Sequence, residues 1–377
     1  MKTNCVITIG RQFGSGGRYV GRMLAEKLGI PFYDKELLSE AAKQSGICEE
    51  IFEDHDEKPT RSLLFNLVTG MQVHGDAGSY YMDMPLNHKI FLAQFDAIRS
   101  IADKGPCVIV GRCADYVLKD RPNTISVFLK AEMQSKVERA VKYYGVDPQK
   151  AEDRIRKADK QRASYYNYYA TATWGDVNNY DLCVLSTHGA YYTYEYGWLW
   201  KRTATAPVLL LTEKSTFWND LRYGMDLLNH RIIKVNGAYA VTAGFFRAAY
   251  RSGALKDTII LSETCEFYGK SGHLDTSMAD ALLSGGAACV VGYVNNVYTV
   301  YSRSMLWATV NRLLAGDTVR EAVDFGLNLY GADDIIWYNN QGGRRPHAVA
   351  SFPVLSGDQD ARLQAMQAAA DSTQQAA

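Results

Sequence analysis

The sequence has few cysteines, no surplus of charge of either sign and no long hydrophobic run, and each absence excludes a class of protein. Its seven cysteines are scattered without a CxxC motif or Cys/His metal spacing, which argues against a disulfide framework or a structural zinc site. The 41 basic residues are balanced by 41 acidic residues. A general polyanion-binding surface, and with it a nucleic-acid partner, is therefore not expected.

Apolar segments of the kind used for secretion or membrane insertion are also missing. The first residues, MKTNCVITIGRQFG, pass directly into a strand pattern and a glycine-rich turn. No later apolar run approaches the length of a membrane span. We therefore expect a soluble, cytoplasmic protein with no membrane partner.

Alternating apolar runs and helical patterns predict an α/β fold, and 377 residues are enough for more than one domain. The first part contains the apolar runs CVITI, CVIVG and TISVFLKA. Between them lie helical patterns, one ending at Gly29, one near 89–103, and a charged stretch at 132–166. Strands that alternate with helices are typical of a parallel sheet with flanking helices.

The alternation restarts at Leu182, which predicts a second α/β sheet domain. Its apolar runs are LCVLST, PVLLLTE, TIILSE and ACVVGY, and helical patterns follow near 298–315 and 318–330. The remaining residues, 341–377, are rich in Gln, Ala, Asp and Ser and are expected to form a loose polar tail. The predicted domains are therefore residues 1–181 and 182–340, followed by this tail.

A glycine-rich turn, ITIGRQFGSGGR, joins the first strand to the first helix. Backbone amides at such a turn, together with the positive end of the helix dipole, can bind phosphate oxygens. Side chains at Gly14, Gly16 or Gly17 would hold the phosphates away from the backbone or forbid its dihedral angles. The alternative interpretation is a plain strand-to-helix turn with spare glycines.

Four motifs follow one another over about residues 4–181: ITIGRQFGSGGRYVGRMLAEKLGIPFYDKELL, VIVGRCADYVL, ISVFLKAEMQSKVERAV and IRKADKQRASYYNYY. In order and spacing they resemble the cytidylate kinase-like family of P-loop nucleoside monophosphate kinases. The resemblance implies phosphoryl transfer from ATP, with Mg²⁺, to a pyrimidine nucleoside monophosphate, CMP above others.

The same resemblance implies roles for individual residues. The donor phosphates would be held by Gly14, Ser15, Gly16, Gly17 and Arg18. The acceptor nucleotide would face Asp34 and Arg112, while Arg162, with Asp159 nearby, would come from the lid. Arg18 and Arg162 would be the catalytic cations, because forked guanidinium groups bind phosphate in two places and stay ionised.

Two details of these motifs depart from the common pattern or allow another interpretation. Gly17 stands at the usual lysine position of a P-loop and Arg18 at the position of the usual magnesium-binding hydroxyl, so the loop does not indicate how magnesium is held. Arg112 directly follows a predicted buried strand, at the edge where parallel sheets bind ligands. Its alternative is a surface salt bridge.

A second group of chemically reactive residues lies in the C-terminal part. The run LCVLST ends at His188-Gly189, and TIILSE ends at Thr264-Cys265. If these strands are neighbours in a parallel sheet, the imidazole of His188 and the thiol of Cys265 meet at one edge, as a base and its nucleophile must. The amides of Gly189 and Cys265 could then form an oxyanion hole.

About residues 180–330 resemble the caspase and gingipain group of cysteine peptidases, in which apolar strands precede His-Gly and Cys. ALLSGGAACVVGY followed by LLAGDTVREAVDFG also resembles the region after the nucleophile in this group. The resemblance implies a peptide or protein substrate. Members carry two further strands before the His-Gly strand, so this domain is expected to be truncated at its start.

The segment YDLCVLSTHG fits both resemblances. It could form the last strand of the kinase-like sheet or the central strand of a caspase-like sheet. We predict that residues 182–187 pair with the strand ending at Glu263, because only that arrangement brings His188 to Cys265; pairing with CVIVG is not expected. Three interpretations of the whole chain remain open. It is a kinase–peptidase fusion, a nucleotide-binding protein with an inactive pseudo-peptidase scaffold, or a non-functional chimera.

Overall fold

The computed structural model describes residues 5–46, 48, 50–52, 57, 86–131, 133–170, 172–176, 179–196, 200–251, 253–342 and 349–363. The chain divides into two compact units between Asn179 and Tyr180. In these ranges, no helix combines the length and the hydropathy that a bilayer crossing requires. Each unit is described by itself.

The first unit is a parallel sheet with helices. Its elements are β1 (Val6–Arg11), α1 (Gly17–Leu28), β2 (Phe32–Tyr33), α2 (Glu36–Ser45), α3 (Leu86–Asp103), β3 (Cys107–Val110), α4 (Ala114–Val117), β4 (Thr124–Leu129), α5 (Met133–Tyr144), a 3-10 turn (Pro148–Lys150) and α6 (Ala151–Tyr169). The strand order is β2-β3-β1-β4, and every pairing is parallel. The predicted parallel α/β layout of this part is confirmed.

Sequence and local structure agree closely around β1 and α1. β1 lies inside the sheet, and both of its faces are buried, as its near-continuous apolar run requires. Helix α1 ends where predicted because Gly29 adopts a left-handed conformation, with φ of 65°, and its amide donates to the carbonyls of Ala25 and Glu26.

The charged stretch at 132–166, expected as one helical segment, is two helices. Helix α5 stops at Tyr144, and Gly145 follows with φ of 63°. Asp147 then accepts a hydrogen bond from the amide of Gln149, and Pro148 begins the turn that leads into α6. A left-handed glycine followed by a capped proline turn therefore breaks a pattern whose charges are continuous.

The second unit contains β5 (Leu182–Leu185), β6 (Gly189–Tyr196), β7 (Arg202–Lys214), α7 (Phe217–Arg222), α8 (Gly224–Leu228), β8 (Ile232–Val235), β9 (Ala238–Val241), α9 (Ala243–Ala249), β10 (Ile259–Ser262), β11 (Gly269–Lys270), β12 (His273–Leu274), α10 (Ser277–Ser284), β13 (Cys289–Tyr293), α11 (Thr299–Leu314), α12 (Val319–Tyr330), α13 (Asp334–Asn340) and β14 (Pro353–Gly357). Its two larger sheets have the orders β14-β13-β10-β5 and β6-β7-β9-β8.

Strand β5 belongs to the second unit, as predicted. Leu182 is paired with Ile259 and Leu185 with Ser262 in a parallel register, whereas β3 is paired with β1 and β2. One expectation was wrong in detail, because β5 lies at the end of the described strand order and is not central. Its side chains are correspondingly half-buried or exposed, while those of β10 are all buried.

Two other expectations for this unit need correction. PVLLLTE lies in β7, which is antiparallel to β6 and β9, so the described part of the unit has two four-stranded sheets where one was expected. In β6, GAYYTYEY, half-buried and exposed residues alternate over its second half, which is typical of an antiparallel hairpin with one face toward solvent. The apolar run of its partner β7 did not predict this arrangement. The expected loose tail, residues 341–377, contains β14, which pairs antiparallel with β13; residues 364–377 lie outside the described range.

Candidate functional site

The glycine loop between β1 and α1 is packed so tightly that three of its glycines are required by their surroundings. Gly14 and Gly16 have φ of 74° and 90°, which disfavour any other residue. A side chain at Gly14 would come within 2.7 Å of the carbonyl oxygen of Lys136, and one at Gly17 within 2.6 Å of the Cβ of Arg11. The loop is therefore more than a turn with spare glycines.

A buried ion pair holds the loop against two helices. The amide of Phe13 donates to Oδ1 of Asp159 at 2.6 Å, and Nζ of Lys136 lies 3.1 Å from Oδ2 of the same carboxylate. Lys136 also donates to Oε1 of Gln12 at 3.2 Å. Asp159, which was expected beside Arg162 in the lid, thus has both oxygens bound to the loop and to α5.

A second cation from α5 reaches the loop directly. Nη1 of Arg139 donates to the carbonyl oxygen of Gly14 at 3.0 Å. Arg139 and Lys136 lie three positions apart and therefore share one face of the helix. Neither residue was singled out from the sequence, because their stretch reads as an ordinary charged helical surface.

Three arginine residues contact one carboxylate, that of Glu57, two through their guanidinium groups and one through its backbone amide. Nη1 of Arg11, at the end of β1, lies 2.5 Å from Oε1, and the amide of Arg112, after β3, donates to the same oxygen at 3.3 Å. Nε of Arg162, on α6, lies 3.0 Å from Oε2. Arg112 and Arg162 are predicted from the sequence, whereas Arg11 and Glu57 are not.

The electrostatic consequences of this arrangement are large. Burial by itself would raise the pKa of Glu57, but the three guanidinium groups outweigh it and hold that pKa well below its ordinary value. Burial, and then the neighbouring charge of Arg11, lowers the pKa of Arg162, although a guanidinium remains protonated. Glu57 is therefore an anion at every pH at which the protein would work.

A second carboxylate, that of Asp34, joins two of the arginines. Nε of Arg18 lies 2.7 Å from Oδ2 of Asp34. Nη1 of Arg112 donates to the carbonyl oxygen of Asp34 at 2.7 Å and lies 3.6 Å from Oδ1. Because Arg112 is only 3% exposed, the alternative of a surface salt bridge is excluded.

The backbone at the end of β3 is strained in a way that fits a binding edge. Gly111, Arg112 and Cys113 have successive φ values of 79°, 54° and 58°. Left-handed conformations cost free energy in residues other than glycine and persist where surrounding contacts determine them. Here the bonds from Arg112 to Asp34 and Glu57 supply those contacts.

The described residues contain no group of three or more His, Cys, Asp or Glu side chains that could hold a metal ion. Arg18, at the position of the usual magnesium-binding hydroxyl, is paired with Asp34. Such surroundings fit a Mg²⁺ ion held mainly by phosphates and water, which is how proteins commonly bind this ion, and do not fit a cage of protein ligands.

In the second unit, the pairing of β5 with β10 brings the two predicted reactive segments together. The carbonyl group of Cys265 lies against Gly189, where a side chain would overlap it. This contact involves the carbonyl, so it does not by itself form the oxyanion hole expected from the Gly189 and Cys265 amides. His188 is exposed, and its carbonyl oxygen accepts from the amide of Leu210 at 2.8 Å.

The thiol of Cys265 is not in an activating environment in this structure. Its Sγ donates to the carbonyl oxygen of Val297 at 3.8 Å. Burial raises the pKa of Cys265, and the carboxylates of Glu266 and Asp334 raise it further. Glu266 is fixed beside it, since its Oε2 accepts from the amide of Tyr191 at 2.5 Å. A thiol of raised pKa is a poor nucleophile near neutrality.

Comparison with known proteins finds a similarity to cytidylate kinases that covers most of the first unit. Residues 6–188 match the cytidylate kinase-like family. Over 192 residues, the chain is 26% identical to a cytidylate kinase from Methanopyrus kandleri, covering 48% of this chain and 84% of that protein. The family match runs past the end of the first unit, through β5, and stops at His188; it does not reach Cys265.

Two solved structures are also similar to part of the chain. An uncharacterized protein from Eubacterium ventriosum is 35% identical over 48% of this chain and 86% of its own length, with a TM-score of 0.34. A shikimate kinase from Bacteroides thetaiotaomicron is 17% identical over 43% of this chain and 82% of its own, with a TM-score of 0.27.

The role of Gly111 in assembling the arginines can be tested with a matched pair of glycines at the two ends of β3. A side chain at Gly111 would overlap the guanidinium of Arg11 and approach Oε1 of Glu57 to 2.6 Å, whereas one at Gly105 would meet nothing within 4 Å. Both glycines have positive φ, so both substitutions strain the backbone by about 1 kcal/mol or more.

We expect Gly111→Ala to lose about 3 to 5 kcal/mol of unfolding free energy beyond the loss in Gly105→Ala, because it also disrupts a buried ion cluster. Urea unfolding of the full chain, followed by circular dichroism, measures both. Equal losses in the two variants would contradict the account of the cluster.

Proposed function

We propose that the first unit, which contains most of the segment that matches the cytidylate kinase-like family (residues 6–188), transfers the terminal phosphoryl group of ATP to a nucleoside monophosphate, with CMP preferred to UMP. The observation that carries the proposal is the convergence of the Arg11 and Arg162 guanidinium groups and the Arg112 amide on one carboxylate, with the Arg112 guanidinium bound to neighbouring Asp34. Phosphoryl transfer demands mainly alignment and positive charge, and this edge of the sheet supplies both.

The donor phosphates are assigned to the glycine loop. The first turn of α1 leaves amides without intrahelical partners, and the helix dipole favours negative charge at the same end. Gly14, Gly16 and Gly17 let the phosphates approach the backbone, and Ser15 stays within the loop, where its hydroxyl donates to the carbonyl of Gln12 at 2.8 Å. The Lys136–Asp159 pair keeps this loop in place.

The surplus of positive charge explains why nucleotide phosphates would be bound here. Four guanidinium groups, those of Arg11, Arg18, Arg112 and Arg162, share the carboxylates of Glu57 and Asp34. The negative charge that spreads over the transferring group would be stabilised by this excess. Bound Mg²⁺ would add charge neutralisation between the donor phosphates.

Asp34 and Arg112 are assigned to the acceptor side of the reaction. Asp34 follows β2 and is largely buried, at 7% exposure. Its contacts to Arg18 and Arg112 align two cations from different elements. In this role Asp34 positions the arginines, and Arg112 binds the acceptor phosphate.

The kinase assignment predicts a loss of activity when one charged contact is removed. Arg112→Ala should lower kcat/KM for CMP by about 10- to 150-fold, equivalent to about 1.5 to 3 kcal/mol of transition-state binding. The measurement is coupled ADP release with CMP and with UMP, after circular dichroism has shown that the variant is folded.

Arg156→Ala is the matched control, because Arg156 forms an exposed i,i+4 pair with Glu152 on α6 and should leave the rate unchanged. An active parent matched by Arg112→Ala would overturn the assignment of Arg112. A parent that binds nucleotide but releases no ADP would favour a nucleotide-binding protein without turnover.

A second candidate function, cysteine peptidase activity of the second unit, is favoured by one observation. The parallel pairing of β5 with β10 places the His188 and Cys265 segments at the same edge of a sheet. The hydrogen bond of Cys265 to Val297 and the raised pKa of its thiol argue against peptidase activity. The unit would need a change at Cys265 before its thiol could act, and otherwise serves as a pseudo-peptidase scaffold.

Alkylation of the cysteines by an iodoacetamide probe between pH 5 and 9 tests the pair. If His188 assists Cys265, His188→Ala should slow alkylation of Cys265 severalfold, because the imidazole favours the thiolate. Exposed Cys48 is the internal control and should react equally in both proteins. Alkylation of Cys265 that is indifferent to His188 would exclude the dyad.

A further inference from the structure

The carboxylate of Glu57 is held in the way that a bound anionic ligand is held. Each of its oxygens accepts from the first unit's frame: Oε1 from Arg11 and the amide of Arg112, and Oε2 from Arg162. The side chains of Glu57 and Arg11 are both only 12% exposed. The contacts thus form a small, nearly enclosed site for a single oxyanion.

Two of the three donors of this site belong to regular elements, whereas the acceptor does not. Arg11 ends β1 and Arg162 lies on α6, while Arg112 lies two residues after β3, in a turn. Nη1 of Arg162 also donates to the carbonyl of Arg11 at 3.4 Å, which ties two of the donors together. Glu57 lies in a turn. The two guanidinium groups are therefore positioned by a strand and a helix, and Glu57 is the group that an anionic ligand would replace.

One carboxylate is a poor match for the charge of this site. Three guanidinium groups act on Glu57, and the charge of Arg11 lowers the pKa of Arg162 even with that carboxylate present. A phosphate monoester offers three acceptor oxygens and nearly two negative charges. It would satisfy the same donors more completely, since forked guanidinium groups bind phosphate in two places at once.

We propose that the guanidinium groups of Arg11 and Arg162 and the backbone amide of Arg112 form one binding site for a phosphate group of a nucleotide, and that Glu57 fills it as an intramolecular competitor until nucleotide displaces the carboxylate. This inference rests on the proposed kinase function and deepens it. Arg11 becomes a phosphate-binding residue, and Glu57 sets how much nucleotide is required to fill the site.

The inference predicts that Glu57→Gln binds phosphate more tightly than the parent does. When the chain itself occupies a site, the apparent affinity for a ligand falls in proportion to the fraction of molecules in which the site is free. Removing the competing charge should therefore raise the affinity for phosphate about tenfold or more. The measurement is isothermal titration of the full chain with inorganic phosphate, CMP and ATP in separate experiments.

The separate titrations distinguish which nucleotide supplies the phosphate. Tightening for CMP alone assigns the site to the acceptor, and tightening for ATP alone assigns it to the donor. Glu152→Gln, which removes a carboxylate from an exposed arginine pair on α6, is the control and should leave all three affinities unchanged. In the Glu57→Gln background, Arg11→Gln should abolish the gain.

Unchanged or weaker binding of all three ligands by folded Glu57→Gln would overturn the inference, because Glu57 would then be a structural partner of the arginines. The result is separable from the proposed function. If the parent phosphorylates CMP but Glu57→Gln binds none of the three ligands more tightly, the kinase proposal stands and the proposed competition by Glu57 is wrong. If Glu57→Gln binds nucleotide more tightly but the parent releases no ADP, the phosphate site stands and the kinase proposal is wrong.

Discussion

The first unit is organised around a concentration of guanidinium charge at the carboxyl edge of its parallel sheet. Positive groups so close together repel one another, and they stay in place only because buried carboxylates lie between them. Neighbouring features of the structure help to hold these arginines and carboxylates together. Gly111 leaves space for Arg11, the left-handed backbone of Arg112 and Cys113 aims the amide of Arg112 at Glu57, and Asp34 joins Arg18 to Arg112.

In the second unit, the sheet that β5 joins is determined by its neighbouring strand β10. The family match includes β5 and ends at His188, yet β5 is hydrogen-bonded to β10 and not to the strands of the first sheet. Burial explains the choice, because the continuous apolar run of β10 needs a partner on each side. The outcome places His188 and Cys265 segments together, while the raised pKa of Cys265 leaves its thiol unactivated.

Much of the first unit was predictable from sequence because its signals are local. The glycine loop, the strand β1 and the end of α1 at Gly29 each depend on residues that are adjacent in the chain. Glu57 could not be predicted, since it lies 46 residues from Arg11 and 105 from Arg162 and belongs to no motif. The hairpin β6–β7 was missed for a related reason, because an apolar run does not reveal whether its partner is parallel or antiparallel.

The role proposed for the charge gathered in the first unit is phosphoryl transfer between nucleotides. Phosphorus NMR of the full chain with ATP, Mg²⁺ and CMP observes that transfer directly. We expect the ATP signals to decline in step with the appearance of ADP and CDP in equal amounts. ATP that remains unchanged, or that yields inorganic phosphate without CDP, would contradict this role.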